Sequence, residues 1–182
     1  MSTNTRRLAA AHLAGGLAAS LTGCGDGREY TVPEAACGVP LDEKKLDPFL
    51  VDGKTFRIVG DSLTDMGKKA QGRCDLSVDD WLVVSFEVDK ADKLYDPMDA
   101  SESFRFVHPA KAENLPFPGL GAVGDRTAMI STECGGPEAN YLVTEVRLST
   151  KIEGDVAERR ENIEAFAVDL VPKVKKALGC TS

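Results

Sequence analysis

The N-terminal pattern that ends at Cys24 constrains the fold most, because it decides which residues form the domain and whether their cysteines can pair. Arg6 and Arg7 precede a short apolar run, Leu8 to Leu21, and small residues lead into Cys24. A basic start, a short apolar run and small residues are typical of an export signal. The run is shorter than the roughly 20 apolar residues that span a bilayer. Residues 1–23 are therefore predicted to be a signal peptide, with Sec and twin-arginine export both open.

The stretch Leu21-Thr22-Gly23-Cys24 resembles the lipobox of bacterial lipoproteins, in which the cysteine thiol carries diacylglycerol. The resemblance implies a lipid anchor on Cys24 and a location at the extracytoplasmic face of the cell membrane. Two acyl chains, at about 0.8 kcal/mol per buried CH₂, make a stable anchor. The alternative is an ordinary cleaved signal followed by a chance cysteine.

Downstream of this signal, the length of the chain fits one domain. Residues 24–36 are predicted to be a polar tether with a reach of about 40 Å, and residues 37–182 a single domain. Residues 1–23 hold two arginines and no acidic residue, so their removal changes the formal charge from −7 to −9. A negative domain is repelled by phosphate backbones and anionic headgroups, which excludes nucleic-acid binding and polybasic lipid binding.

Four cysteines remain in the domain: Cys37, Cys74, Cys134 and Cys180. An even number in an exported chain favours two disulfides. Zinc sites use closely spaced pairs, which this set lacks, so no metal is expected. Three pairings are possible, and we predict the one in which each disulfide closes half of the domain, Cys37 with Cys74 and Cys134 with Cys180.

The sequence repeats a strand pattern at an offset of 60 residues, beginning with Cys74 and Cys134. In the first copy Leu82, Val84, Phe86 and Val88 alternate with polar residues; in the second, Leu142, Val146 and Leu148 share a face and Glu145 and Arg147 point outward. This pattern predicts two similar halves of one antiparallel sheet. Further strands are predicted at 54–59, 103–107 and 126–131, and a loop at 114–119.

The last predicted element is a long helix that begins at Asp155 and presents an apolar stripe to the sheet. Its stripe contains Ile163, Phe166, Ala167, Leu170, Val174, Ala177 and Leu178. Pro172 interrupts its hydrogen bonds, and Gly179 is a natural stop. The predicted fold is therefore α+β, an antiparallel sheet of two similar halves packed by a long C-terminal helix and held by two disulfides.

Two motifs bear on catalysis. Residues 119–124 match G-x-G-x-x-G, but a proline-rich loop precedes them and a strand follows, so a flexible turn is expected rather than a nucleotide site. Residues 60–67, Gly-Asp-Ser-Leu-Thr-Asp-Met-Gly, resemble the nucleophile block of GDSL-type esterases and lipases, which implies Ser62 as nucleophile with His108 as the available base. The Asp-x-x-His and Gly-x-Asn-Asp blocks of that family are missing, and a serine without a positioned base is unreactive.

The whole layout resembles secreted actinobacterial lipoproteins of unknown function, with Cys-Gly-Val-Pro after the tether and a final Leu-Gly-Cys. This resemblance implies an envelope address and no activity or cofactor. The function predicted is a monomeric, noncatalytic module that binds an envelope protein or a small ligand, with the serine esterase as the alternative. Trp81, Val83, Tyr141 and Val143 are expected on the strand face opposite the helix, either as a binding surface or packed beneath the 90–118 segment.

Overall fold

The computed structural model describes residues 27–137 and 139–181. The predicted signal peptide and the lipidation residue Cys24 lie outside the described residues. No helix within the described ranges is long and apolar enough to cross a membrane.

One large antiparallel sheet forms the centre of the domain. The strands are β1 (Ala35–Ala36), β2 (Val39–Pro40), β3 (Phe56–Gly60), β4 (Gln71–Val78), β5 (Trp81–Ala91), β6 (Ala110–Lys111), β7 (Gly119–Val123), β8 (Thr127–Glu133) and β9 (Tyr141–Leu148). The helices are α1 (Glu43–Leu46), α2 (Val156–Ala177) and two 3₁₀ helices, Asp47–Phe49 and Ala100–Arg105. Across the main sheet the strand order is β3-β4-β5-β9-β8-β7-β6, and β1 pairs only with β2.

The two halves of the sheet have the same topology. Strands β3, β4 and β5 form one antiparallel meander and β7, β8 and β9 form another. The repeated segments meet at the centre, where β5 pairs with β9 from Val84 opposite Leu148 to Ala91 opposite Tyr141. The predicted α+β fold with two similar halves is confirmed.

A β-bulge in β5 changes which side chains enter the core. Leu76 pairs with Val84 but the next residue, Ser77, pairs with Leu82, so Val83 is the extra residue. Val83 and Val84 are therefore both fully buried, whereas Leu82 is 37% exposed. The prediction that Leu82 points inward and Val83 outward was wrong, because a bulge reverses the alternation on one side of it.

Helix α2 covers one face of the sheet, as predicted. The carboxylate of Asp155 accepts the N–H of Glu158 at 3.0 Å and caps its first turn. Phe166, 1% exposed, contacts Phe49 and Phe86 with ring centroids 5.9 and 6.5 Å apart. These edge-to-face contacts join the helix to the central strand β5 and to the 3₁₀ helix at Asp47–Phe49.

Both disulfides have the predicted pairing. Cys37 is bonded to Cys74 in β4, and Cys134, which follows β8, is bonded to Cys180 beyond the end of α2. Cys74 and Cys134 are buried in the core. Each bridge thus ties one end of the domain to its own half of the sheet.

Residues 27–36, within the segment predicted as a tether, lie against the domain. Arg28 forms a parallel bridge with Gly53, and the Tyr30 hydroxyl donates to the Val51 carbonyl at 2.6 Å. Tyr30 also stacks on Phe56 of β3, and Ala36 is 1% exposed. The described part of this segment is therefore held in place by the folded domain.

A second layer covers part of the opposite sheet face. Residues 103–107, predicted as a strand, instead include the end of the Ala100–Arg105 3₁₀ helix. The Asp99 carboxylate accepts the N–H of Ser101 at 2.9 Å, which favours a helical turn over an extended chain. Phe106 follows this helix and packs on the sheet together with Val143.

Candidate binding surface

The two residues of the esterase alternative lie at opposite edges of the sheet. Ser62 follows Gly60, the last residue of edge strand β3, and His108 precedes Ala110, the first residue of edge strand β6. Gly60 and Ala110 lie in the same row of paired residues across all seven strands. Six strand spacings amount to about 29 Å. The fold therefore does not bring the predicted nucleophile and base within hydrogen-bond reach.

The loop that carries Ser62 is built to pack against the domain. Its Leu63 and Met66 are buried, and the Leu63 N–H donates to the Cys37 carbonyl at 2.8 Å. The Ser62 and Thr64 hydroxyls hydrogen-bond to each other at 2.9 Å. This geometry is that of a serine-stabilised turn.

His108 pairs with a carboxylate at the other edge of the sheet. Its Nδ1 lies 2.9 Å from Oδ2 of Asp125, and its side chain is 79% exposed. The hydrogen bond from His108 lowers the pKa of Asp125. Arg160 of helix α2 donates to the His108 carbonyl and lies 3.6 Å from the same carboxylate. The His108–Asp125 pair thus joins the loop before β6 to the turn between β7 and β8, and Arg160 fastens both to the start of α2.

The glycine-rich motif, expected as a flexible turn, lies in the sheet instead. Residues 119–124, the glycine-rich match, contain strand β7, and a Cβ at Gly119 would lie 2.6 Å from the Ser131 carbonyl oxygen. The glycine therefore allows close approach of two strands rather than of a phosphate. Within residues 27–137 and 139–181, no group of three or more His, Cys, Asp or Glu side chains is placed to hold a metal ion.

The four residues predicted on the face opposite the helix have different environments. Val83 is in the main core, and Val143 is 7% exposed beneath Phe106. Val143 therefore packs beneath the 90–118 segment. Tyr141 is half-buried and Trp81 is 58% exposed. Trp81 pairs with the core residue Val78, which places it on the helix side of the sheet because of the bulge.

The 92–107 segment presents the apolar surface that sequence reasoning missed. Nine large hydrophobic side chains are exposed in the described part of the chain, and four of them belong to this one segment. They are Leu94 (44%), Met98 (41%), Phe104 (77%) and Val107 (58%). We call this set the apolar surface. The alternation of residues 103–107 suggested a strand with Phe104 and Phe106 on one buried face, whereas the 3₁₀ helix turns Phe104 to solvent.

An ion pair and a hydrogen bond hold the 92–107 segment on the sheet. Arg105 bonds Glu102 at 2.8 Å and Glu145 of β9 at 3.1 Å, and its guanidinium lies 5.2 Å from the centroid of the Phe104 ring. The Tyr95 N–H donates to the Ser131 hydroxyl at 3.1 Å. These contacts fix the backbone that carries the apolar surface.

Glu145 was predicted to point outward, but it is 4% exposed. It lies on the expected sheet face, where Arg105 and Arg147 pair with it beneath the second layer. Glu87 is directly opposite Glu145 in the ladder. Burial, reinforced by the charge of Glu87, raises the pKa of the neighbouring Asp89. The carboxylates of Glu87, Asp89 and Glu145 would repel one another on this sheet face, and the ion pairs of Arg105 and Arg147 with Glu145 offset that repulsion.

An acidic groove of about 580 Å³ lies between helix α2 and the loop after β6. Its lining includes Glu113, Glu161, Glu164 and Asp169. Burial raises the pKa of Glu164, and Glu113 adds to this effect. The groove is open and negatively charged, which suits a cation better than an anion.

Comparison with known proteins gives no relative for this arrangement. No protein family, no curated protein and no solved structure matches the chain.

Proposed function

We propose that this chain is a noncatalytic, lipid-anchored module at the extracytoplasmic face of the cell membrane that binds a partner protein through the apolar surface. The single observation that carries the proposal is the clustering of Leu94, Met98, Phe104 and Val107 within one segment. Contiguous exposed apolar patches mark interaction sites, whereas scattered single residues do not, and four exposed apolar side chains between residues 94 and 107 are the basis for proposing such a patch here.

Phe104 is the most exposed member of the apolar surface, and core packing does not explain its aromatic side chain. Phe104 is 77% exposed while Phe106, two residues later, is 8% exposed and fills the second layer. The fold needs Phe106 and leaves Phe104 to solvent. An aromatic side chain on a fixed backbone supplies a large contact area at a low ordering cost, which is the usual property of a binding hot spot.

The charge around the apolar surface indicates the chemistry of the partner. Four acidic residues, Asp92, Asp96, Asp99 and Glu102, are interspersed with its apolar residues and outnumber the two basic ones, Lys93 and Arg105. A partner with an apolar groove and a basic rim would complement this pattern, and the charges would favour encounter and orientation.

Two features support the proposed location at the extracytoplasmic face of the membrane. The segment before Cys24 resembles a lipobox, and the two disulfides are typical of an oxidising compartment outside the cytoplasm. Mass spectrometry of the protein purified from its membrane should find diacylglycerol on Cys24. A Cys24→Ser variant should leave the membrane fraction.

The binding surface can be tested by photocrosslinking in intact cells. A photoreactive residue at position 104 should give a discrete adduct, and Val107→Ser should remove that adduct. Val59→Ser is the matched control, because Val59 is 60% exposed and Val107 is 58% exposed. An adduct that survives Val107→Ser, or that Val59→Ser removes equally, would assign the partner to another surface.

A further inference from the structure

The start of the described chain determines which surface faces the membrane if Cys24 carries the lipid, and this inference rests on that part of the proposed function. The Gly53 N–H donates to the Gly27 carbonyl at 3.3 Å, and the Glu29 N–H donates to the Gly53 carbonyl at 2.7 Å. Gly27 is thus docked beside Gly53. From Cys24 to Gly27 the extended chain spans at most about 11 Å. This upper bound is far below the reach of about 40 Å expected for residues 24–36 from the sequence.

The turn between β4 and β5 is the neighbour of this docking point. The Asp79 carboxylate in that turn accepts the N–H of Lys54 at 2.9 Å and of Thr55 at 2.8 Å. A Cβ at Gly53 would lie 2.7 Å from the same carboxylate. Trp81 follows Asp79 by two residues. Gly27, the first described residue, and Trp81 therefore lie at the same end of the domain.

The side chains at this end suit a membrane–water interface. Trp81 is 58% exposed and Leu82 is 37% exposed. The Lys151 ammonium lies 3.9 Å from the centroid of the Trp81 ring. Tryptophan combines an apolar ring with a polar N–H and is enriched at headgroup depth, where lysine side chains extend toward the aqueous phase.

The acidic residues of the turn are balanced locally. Asp80 pairs with Arg57 at 2.6 Å, and Asp79 is engaged with backbone N–H groups. Lys54 and Lys151 add positive charge at the same end. The net negative charge of the whole domain acts at a distance and is screened beyond about 8 Å at physiological salt. Asp52, beside Gly27, and Glu29 also lie at this end, which therefore has four carboxylates against Lys54, Arg57 and Lys151, a difference of one charge.

We propose that the β4–β5 turn, with Trp81 and Leu82, inserts into the membrane interface beside the lipid anchor and fixes the orientation of the domain. The apolar surface then points away from the bilayer. The position of Phe104 follows from its neighbour Arg105, which forms an ion pair with Glu145 of β9. Glu145 lies opposite Glu87 of β5 in the strand register, so Phe104 is near the level of Glu87 along the sheet. Glu87 is roughly 20 Å along the strand from Trp81.

Trp81 is the single tryptophan of the chain, so its fluorescence reports this contact directly. The oxidised chain from Cys24 onward is coupled through Cys24 to a maleimide lipid in vesicles of phosphatidylcholine and phosphatidylglycerol. Insertion predicts a blue-shifted Trp81 emission that brominated lipids quench and aqueous iodide does not. The matched control combines Trp81→Phe with Phe104→Trp, and its emission should be quenched by iodide and insensitive to brominated lipid.

Chemical coupling separates this inference from the question of whether cells lipidate Cys24, which mass spectrometry of the native protein answers. Trp81 emission that responds to iodide as it does without vesicles would overturn the proposal and leave Trp81 available to a protein partner. Stronger brominated-lipid quenching at position 104 than at position 81 would overturn the proposed orientation.

Discussion

Removal of the Cys134–Cys180 disulfide tests how much of the stability comes from chain closure. The bridge closes a loop of 46 residues, for which the chain-entropy relation gives about 4 kcal/mol at 25 °C. The Cys37–Cys74 bridge closes 37 residues and gives nearly the same value, about 3.8 kcal/mol. Domains are stable by only about 5–15 kcal/mol, so either loss is a large fraction of the total.

The assay is equilibrium urea unfolding of the Cys134→Ala/Cys180→Ala and Cys37→Ala/Cys74→Ala variants, followed by far-UV circular dichroism. Both variants should lose about 4 kcal/mol, and the urea dependence should steepen because the unfolded chain becomes more expanded. The comparison is internally matched, since each pair removes one core cysteine, Cys134 or Cys74. A loss below about 1 kcal/mol in either variant would refute the loop-closure reasoning.

Three further predictions concern the helix and two carboxylates. Phe166→Ala should cost about 3–5 kcal/mol because its ring is buried between two others, whereas Val156→Ala, at an exposed position of the same helix, should stay within about 0.5 kcal/mol in urea unfolding. Asp155→Ala should lower the free energy of unfolding by about 1 kcal/mol because the helix loses its N-terminal cap. Asp155→Asn should keep most of the capping contribution, and thermal melts would show the difference. Burial raises the pKa of Asp89, so its ionised form lowers stability at neutral pH, and this loss is relieved as the pH falls through the raised pKa. Backbone N–H groups lower the pKa of Asp79, so its ionised form stabilises the domain at neutral pH, and this contribution is lost as the pH falls through the lowered pKa. Asp89→Asn should therefore stabilise and Asp79→Asn destabilise the domain at neutral pH, with both differences fading in acid; the same sign for both variants in pH-dependent unfolding would contradict this assignment.

The sequence predicted the parts of the fold that depend on local periodicity and on the compartment. The stripe that includes Ile163, Phe166 and Leu170 repeats at helical spacing and is buried as expected. The alternation of β9 holds along its whole length, with Leu142, Val146 and Leu148 in the core. The two disulfides were predicted from the even number of cysteines and the resemblance of the N-terminus to an export signal, and their pairing from the expectation that each bridge closes one half of the domain.

The remaining features depend on register, which a single sequence does not encode locally. The bulge at Val83 arises from how β4 pairs with β5, and it reverses the expected sides of residues 81–83. The alternation around Phe104 is compatible with a strand, and the Asp99 cap decided against it. The candidate surface was missed because Phe104 and Phe106 would share one face of a strand. In the structure Phe104 belongs to the 3₁₀ helix and Phe106 follows it, so the two side chains have different environments. A signal was present in the Asp-x-Ser spacing of Asp99 and Ser101.

The two disulfides also determine how the domain would respond to mechanical load. A force that pulls the first and last residues apart passes from Cys37 directly to Cys74, and from Cys134 directly to Cys180. The closed loops between the paired cysteines contain β3, β9 and helix α2, and they are bypassed by the tension. The stretch from Cys74 to Cys134 can be drawn out, together with the residues before Cys37 and after Cys180, so a pull on the two ends would lengthen this domain by a fixed and limited amount.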